Sequence, residues 1–207
     1  MKKIFVIVML SAITMANVSV YGQSVAKQLK TEKKAMQARV KELSAQGWQS
    51  LQSAGLATII SEHNAKMKNN PDLIEFPGTA EEVKTTNIGK AKARNSAITD
   101  FAEYCGGMLR ARITSDLRDI DGEQADNLIA GYERILAQKL EKDLKPSYYI
   151  YKETGNGKYD VRGFFLVDES VAAKKSKEAL KEAADEAKLA FDYANGISDF
   201  IKQGFNK

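Results

Sequence analysis

The sequence is poor in the residues that usually announce chemistry. Its 207 residues contain one Cys, one His, one Trp and three Pro. A single Cys excludes a disulfide scaffold and a thiolate zinc site. A single His excludes a multi-histidine metal centre. The few prolines, and the lack of a Gly/Ser-rich tract, argue against a long disordered linker. No G-x-S-x-G, H-E-x-x-H, P-loop or G-x-G-x-x-G motif occurs. No cofactor or metal is therefore expected, and the reading is of a protein without catalysis.

Met1 to Gly22 has the layout of a secretory signal peptide. Lys2 and Lys3 form a basic start, Ile4 to Ala16 is mostly apolar, and Val20-Tyr21-Gly22 offers a cleavage site before Gln23. The apolar run is shorter than the roughly 20 residues a membrane span needs. An uncleaved N-terminal anchor is the alternative. No second run of spanning length follows, so no transmembrane span is expected. No Cys lies at the junction, which excludes lipid attachment there. The expected location is the periplasm or cell surface of a Gram-negative-type bacterium.

Cleavage would take 22 residues from 207 and leave 185, and the net charge of +4 would fall to +2 with the loss of Lys2 and Lys3. That charge makes nucleic acid an improbable partner for an exported chain. The cation excess is local. Ser24–Gln46 carries six basic and two acidic residues, and the remainder of the exported chain is net −2. Val25, Leu29, Met36, Val40 and Leu43 share one arc of a helix over this segment, with Lys27, Lys30, Lys34 and Lys41 opposite. The Lys side is either a solvated face or a contact surface for an anionic lipid, a glycan or a protein partner.

Gly47 ends that helix, and Trp48 to Ser53 reads as a short strand. Leu56 to Lys68 reads as a helix with Leu56, Ile59, Ile60 and Met67 on one face, stopped by Asn69-Asn70-Pro71. His63 lies near its polar end, where a surface position is expected. Leu73 to Asn87 reads as strand, turn and strand around Pro77-Gly78. Ile88 to Leu117 is a long helical pattern in which Gly106-Gly107 could kink the helix or admit a close neighbour. Cys105 falls on its apolar side and reads as a buried, inert thiol.

Glu123 to Leu144 has the clearest helical spacing. Ser147 to Asp168 has the clearest β pattern, a hairpin turning at Thr154-Gly155-Asn156-Gly157. Phe164 to Val167 is apolar on both faces, so a helix should cover that end. Glu169 to about Asn195 is the last long helix. Its Ala-rich stripe invites close packing, with the first helix as the expected partner. Ile197 to Phe205 reads as a final short helix.

The expected fold is α+β. A small antiparallel sheet, with the Tyr148–Val167 hairpin at its centre, packs on the Ile88 and Glu123 helices, and the first and last helices flank it. The domain plan is a leader over 1–22, an amphipathic helix over 23–46, an α+β domain over 47–168 and a C-terminal helix over 169–207.

Aromatic residues supply the binding candidates. Tyr149 and Tyr151 should share one strand face, with Tyr148 on the other, and Trp48 joins them as a possible platform for a sugar or peptide. Cross-strand packing is the alternative role. Asp116, Asp119 and Asp121 lack EF-hand spacing and read as a solvated turn.

The Gly47-Trp48 step, the helix Gly89-Lys90-Ala91-Lys92-Ala93-Arg94-Asn95-Ser96-Ala97 and the strand Tyr159-Asp160-Val161 resemble the lipoprotein-20-like domain family of bacterial envelope proteins. The likeness covers about Gly47 to Asp168. It implies a small α+β domain with an envelope role. The lipobox Cys of lipidated members is missing, so lipid anchoring is not implied. Three functions compete. The first is a non-catalytic envelope protein working through protein or surface contacts, with an envelope protein or a second copy as partner. The second is a glycan- or peptide-binding module using Trp48, Tyr149 and Tyr151. The third is a hydrolase with spatially paired carboxylates.

Overall fold

The computed structural model describes residues 23–116 and 122–187; side chains are described for 30–114 and 122–187. Five helices and one four-stranded sheet lie within them: α1 Gln23–Ala45, β1 Gln49–Ser50, α2 Leu56–Asn69, β2 Leu73–Val83, α3 Thr86–Asp116, α4 Gly122–Leu140, β3 Lys145–Gly155, β4 Lys158–Asp168 and α5 Glu169–Glu186. The fold is α+β. Among the described residues, those up to Ala35 form one compact unit and those from Met36 onward another. The description below is of the second unit, which includes the last turns of α1.

The sheet has the order β1-β3-β4-β2, all antiparallel. The β3–β4 hairpin is central, as expected. Its turn places Gly155, Asn156 and Gly157 at φ of 90°, 54° and 67°, a conformation glycine and asparagine tolerate best. Side chains alternate between two faces. Phe165 and Val167 of β4 point toward α3, while Phe164 points toward α2 and the end of α1. Both faces are thus covered, which explains why Phe164–Val167 is apolar throughout.

The two covers differ in depth. On one face α3 lies across β2 and β4, α4 packs behind it, and α5 packs on α4. Phe101, Leu109, Leu128, Tyr132, Leu136, Phe165 and Leu180 form the centre of this core. The Glu123 helix was expected on the sheet; it is instead mainly a second layer on α3. Gly106 sits against the Glu133 side chain of α4, so this glycine serves close helix packing within an unbroken α3. On the other face only Leu43, Trp48, Ile59, Ile60, Tyr148, Ile150 and Phe164 are buried together.

Two further expectations are corrected. β2 runs straight through Pro77-Gly78 as one strand. It is an edge strand, where proline's missing N–H costs no ladder bond on the open side. A Cβ on Gly78 would overlap the Ala93 carbonyl of α3, so this glycine permits a close helix–sheet approach and makes no turn. The strand bends only at a bulge between Ala80 and Val83, with Glu82 at φ 51°.

The second correction concerns α5, whose partner is α4, not α1. Its Ala179, Ala183 and Ala184 are buried, and Ala183 approaches Gly131 of α4. Ser176 Oγ bonds the buried Tyr132 hydroxyl, and Lys139–Glu182 and Arg134–Glu186 bridge the rim. Small residues on both helices allow this close approach. The expected segments 1–22 and 197–205, and Asp119 and Asp121, lie outside the described residues.

Candidate functional site: a tyrosine cleft at the start of α3

Three separated stretches of chain meet at one end of the sheet. The end of β1 brings Ser50 and Leu51, the β2–α3 connection brings Lys84, Thr85 and Thr86, and the hairpin brings Tyr151, Glu153 and Tyr159. Together they line an open cleft of about 430 Å³. That is within the range of sites for small ligands.

Local sequence explains its shape. Ala80, Val83, Ala93 and Val161 form a small buried floor, on which Leu51, Tyr149, Tyr151 and Tyr159 pack. A Cβ on Gly89 would run into Val161, so glycine there lets the first turns of α3 sit tightly on β4. Thr85 Oγ1 accepts the Ile88 N–H at 3.3 Å, fixing the start of α3. The Tyr151 and Tyr159 rings lie 6.1 Å apart, tilted by 57°. The Tyr151 hydroxyl donates to Gln49 Oε1 at 3.0 Å, which orients its ring. Lys84 and Glu153 are exposed, with no ion-pair partner among the described residues. The cleft therefore offers aromatic surface, one cation, one anion and hydroxyls together. It contains a single carboxylate, not the pair that glycoside hydrolysis uses.

The candidate residues fare differently. Tyr151 lines the cleft. Tyr149 shares its face but is half-buried, edge-on to Phe165 at 5.6 Å and beneath Lys90 at 5.8 Å. Burial raises its hydroxyl pKa, and the Arg94 charge opposes that rise. Tyr148 occupies the other face, as expected, and is fully buried.

Trp48 is corrected: it is 3% exposed and belongs to the α2-side core. Arg162 and Lys152 lie over its ring at 4.3 and 5.2 Å, so it cannot serve as an open sugar platform. Lys30, Lys34 and Lys41 are exposed on α1; the side chain of Lys27 lies outside the described residues. Tyr159, Lys84 and Glu153 were not singled out from sequence. The period-two alternation of β4 carried a signal for Tyr159, which shares a face with Val161; nothing local marks Lys84.

His63 is the largest correction. The surface expectation fails, because the residue is 3% exposed. It fills the i+3 slot between Ile60 and Met67 on the face of α2 that meets the sheet. Its Nδ1 lies 2.9 Å from Ser147 Oγ, and its Nε2 contacts Glu75 Oε2. The ring stands edge-on to Tyr148 at 5.1 Å. Both nitrogens are therefore engaged, as burial of a polar ring requires. Because β4 separates β2 from β3, this one imidazole ties α2 to two strands that do not pair.

Cys105 is buried, as read from the sequence. Desolvation pushes its thiol up to about 12, against a smaller lowering by the Tyr132 hydrogen bond. Among the described residues, no group of three or more His, Cys, Asp or Glu side chains is arranged to hold a metal ion, and no helix is long and apolar enough to cross a membrane.

Comparison with known proteins adds no identification: no family model matches the chain, and no curated protein or solved structure is significantly similar to it.

Proposed function

We propose that this protein is an exported, non-catalytic binding module of the cell envelope that holds a sugar residue of a glycan in the Tyr151–Tyr159 cleft. One observation carries the reading: the cleft sets two tilted tyrosine rings beside an ammonium and a carboxylate that have no ion-pair partner among the described residues, together with hydroxyl groups. A sugar ring has an apolar C–H face and a rim of hydroxyls. The first suits an aromatic surface. The second can donate to Glu153 and accept from Lys84. With one charge of each sign, the lining favours a neutral sugar over a strongly charged one.

The envelope part of the proposal rests on the leader-like Met1–Gly22 and on the resemblance to lipoprotein-20-like proteins. Isothermal titration against soluble cell-wall and capsular oligosaccharides tests the binding. Tyr151→Ala and Tyr159→Ala should each weaken binding about tenfold, the loss of one aromatic contact of about 1–1.5 kcal/mol, with urea unfolding used to show that each variant is still folded. No binding by the parent protein, or undiminished binding by the double variant, would remove the proposal.

A second reading has its own support. The exposed Lys30, Lys34 and Lys41 on α1 suit contact with an anionic partner surface. Pulldown of an envelope partner that is lost on deleting residues 24–46 would favour it.

A further inference from the structure

The face of the hairpin opposite the cleft carries a second polar arrangement, centred on Trp48. Across the hairpin, Lys152 faces Asp160 and Ile150 faces Arg162. Lys152 and Arg162 are therefore diagonal neighbours on one face. Both cationic heads lie over the same indole, Arg162 Cζ at 4.3 Å and Lys152 Nζ at 5.2 Å from its centroid, so they are at most about 9.5 Å apart.

Among the described residues, Asp160 supplies one unit of counter-charge to this pair. Asp160 Oδ2 bonds Lys152 Nζ at 3.3 Å, and Asp160 Oδ1 accepts the Glu82 N–H at 3.0 Å. Both carboxylate oxygens are thus committed away from Arg162. Arg162 is exposed and has no carboxylate partner among the described residues. Its Cζ lies over the indole, and among the described residues its guanidinium N–H groups have no hydrogen-bond acceptor.

A guanidinium resting over an aromatic ring is partly restrained, so less conformational freedom is lost when a ligand binds it. Its forked donors match the paired oxygens of a phosphate, and an adjacent ammonium adds a second attraction for a group carrying up to two negative charges. We propose that Arg162 and Lys152, set on the Trp48 ring, form a binding site for a phosphate group, carried by a soluble phosphate compound or by a lipid headgroup. This site is separate from the tyrosine cleft and does not depend on a glycan ligand.

Trp48 is the one tryptophan of the chain, so its fluorescence reads the site directly. Titrating the purified protein with inorganic phosphate at fixed ionic strength should change the Trp48 emission saturably, whereas chloride should not. Arg162→Gln should weaken the response about tenfold or more, the loss of a charge-assisted bond of about 1.5–3 kcal/mol. Arg162→Lys, which keeps the charge and guards against a folding artefact, should fall between. Lys142→Gln, an equal charge change on an exposed residue elsewhere, should bind as the parent does.

Vesicles separate the two sources. Retention on phosphatidylglycerol vesicles that inorganic phosphate displaces assigns the site to headgroups; saturation by phosphate without retention assigns it to soluble compounds. An equal response to chloride, no response to phosphate, or an unweakened response in Arg162→Gln would overturn the proposal.

Discussion

Phe164 and Phe165 are sequence neighbours, yet they enter very different surroundings. Phe165 joins a core built from β4, α3, α4 and α5. Phe164 joins a thin layer, stacked 4.2 Å from Tyr148 and under the Arg39 guanidinium at 5.4 Å. The deep face is closed by apolar side chains, and its rim is tied by ion pairs between helices. The thin face is finished with polar groups: His63 between Glu75 and Ser147, Arg39 on Tyr148, and Arg162 and Lys152 on Trp48. One strand therefore divides the work. The side with many apolar layers supplies stability, and the side with one layer leaves charged groups at the surface.

Truncating the two rings should expose this division most strongly. Phe165→Ala should cost about 3–5 kcal/mol in urea unfolding. Phe164→Ala should cost less, because that site opens to the surface and can partly collapse. An equal or larger loss at Phe164 would break the comparison. The next effect is polar. His63→Ala should cost about 1–3 kcal/mol, by leaving Glu75 and Ser147 without their shared partner. Amide exchange should then speed up in α2 before α4. Protection lost first in α4 would show that His63 supports the deep face after all.

The smallest effect concerns alkaline pH. Burial raises the Cys105 thiol from 9.0 to about 12, and raises the Tyr132 and Tyr148 hydroxyls above their usual value. The unfolded chain releases the thiol proton first, so above about pH 9 it holds fewer protons than the folded chain. Stability should then fall as pH rises, by up to about 1.4 kcal/mol per unit for the thiol alone. Denaturation midpoints at pH 8, 9 and 10 check the sign. Cys105→Ala should flatten the first part of the decline; an unchanged slope would place its origin with the tyrosines.

Periodicity made part of this arrangement legible. The β3–β4 hairpin, α4 and the two-sided apolar end of β4 each carry a strong local pattern. Other features depended on partners that no local pattern names. Pro77-Gly78 reads as a turn until α3 is seen lying against Gly78. The alanines of α5 promise a close helix but not which one, and Gly131 decides in favour of α4. His63 reads as a surface residue because Glu62 and Asn64 flank it, and only the strands packed on α2 reveal that its ring lies on the buried face. The cleft was half legible: Tyr151 stood out, but Lys84 and Ser50 come from stretches that meet only in space.

The borders of the sheet carry a consequence for self-association. β1 pairs through only two residues, which leaves a short ledge on that side. On the other side β2 presents Pro77 in mid-strand and a bulge at Glu82, and Ser96 Oγ takes up the Thr79 N–H at 3.4 Å. Among the described residues, the β2 border therefore offers no long, regular row of free backbone groups, the template on which chains add strand to strand. On the β2 side the sheet is thus built to end where it does, and strand addition there is disfavoured.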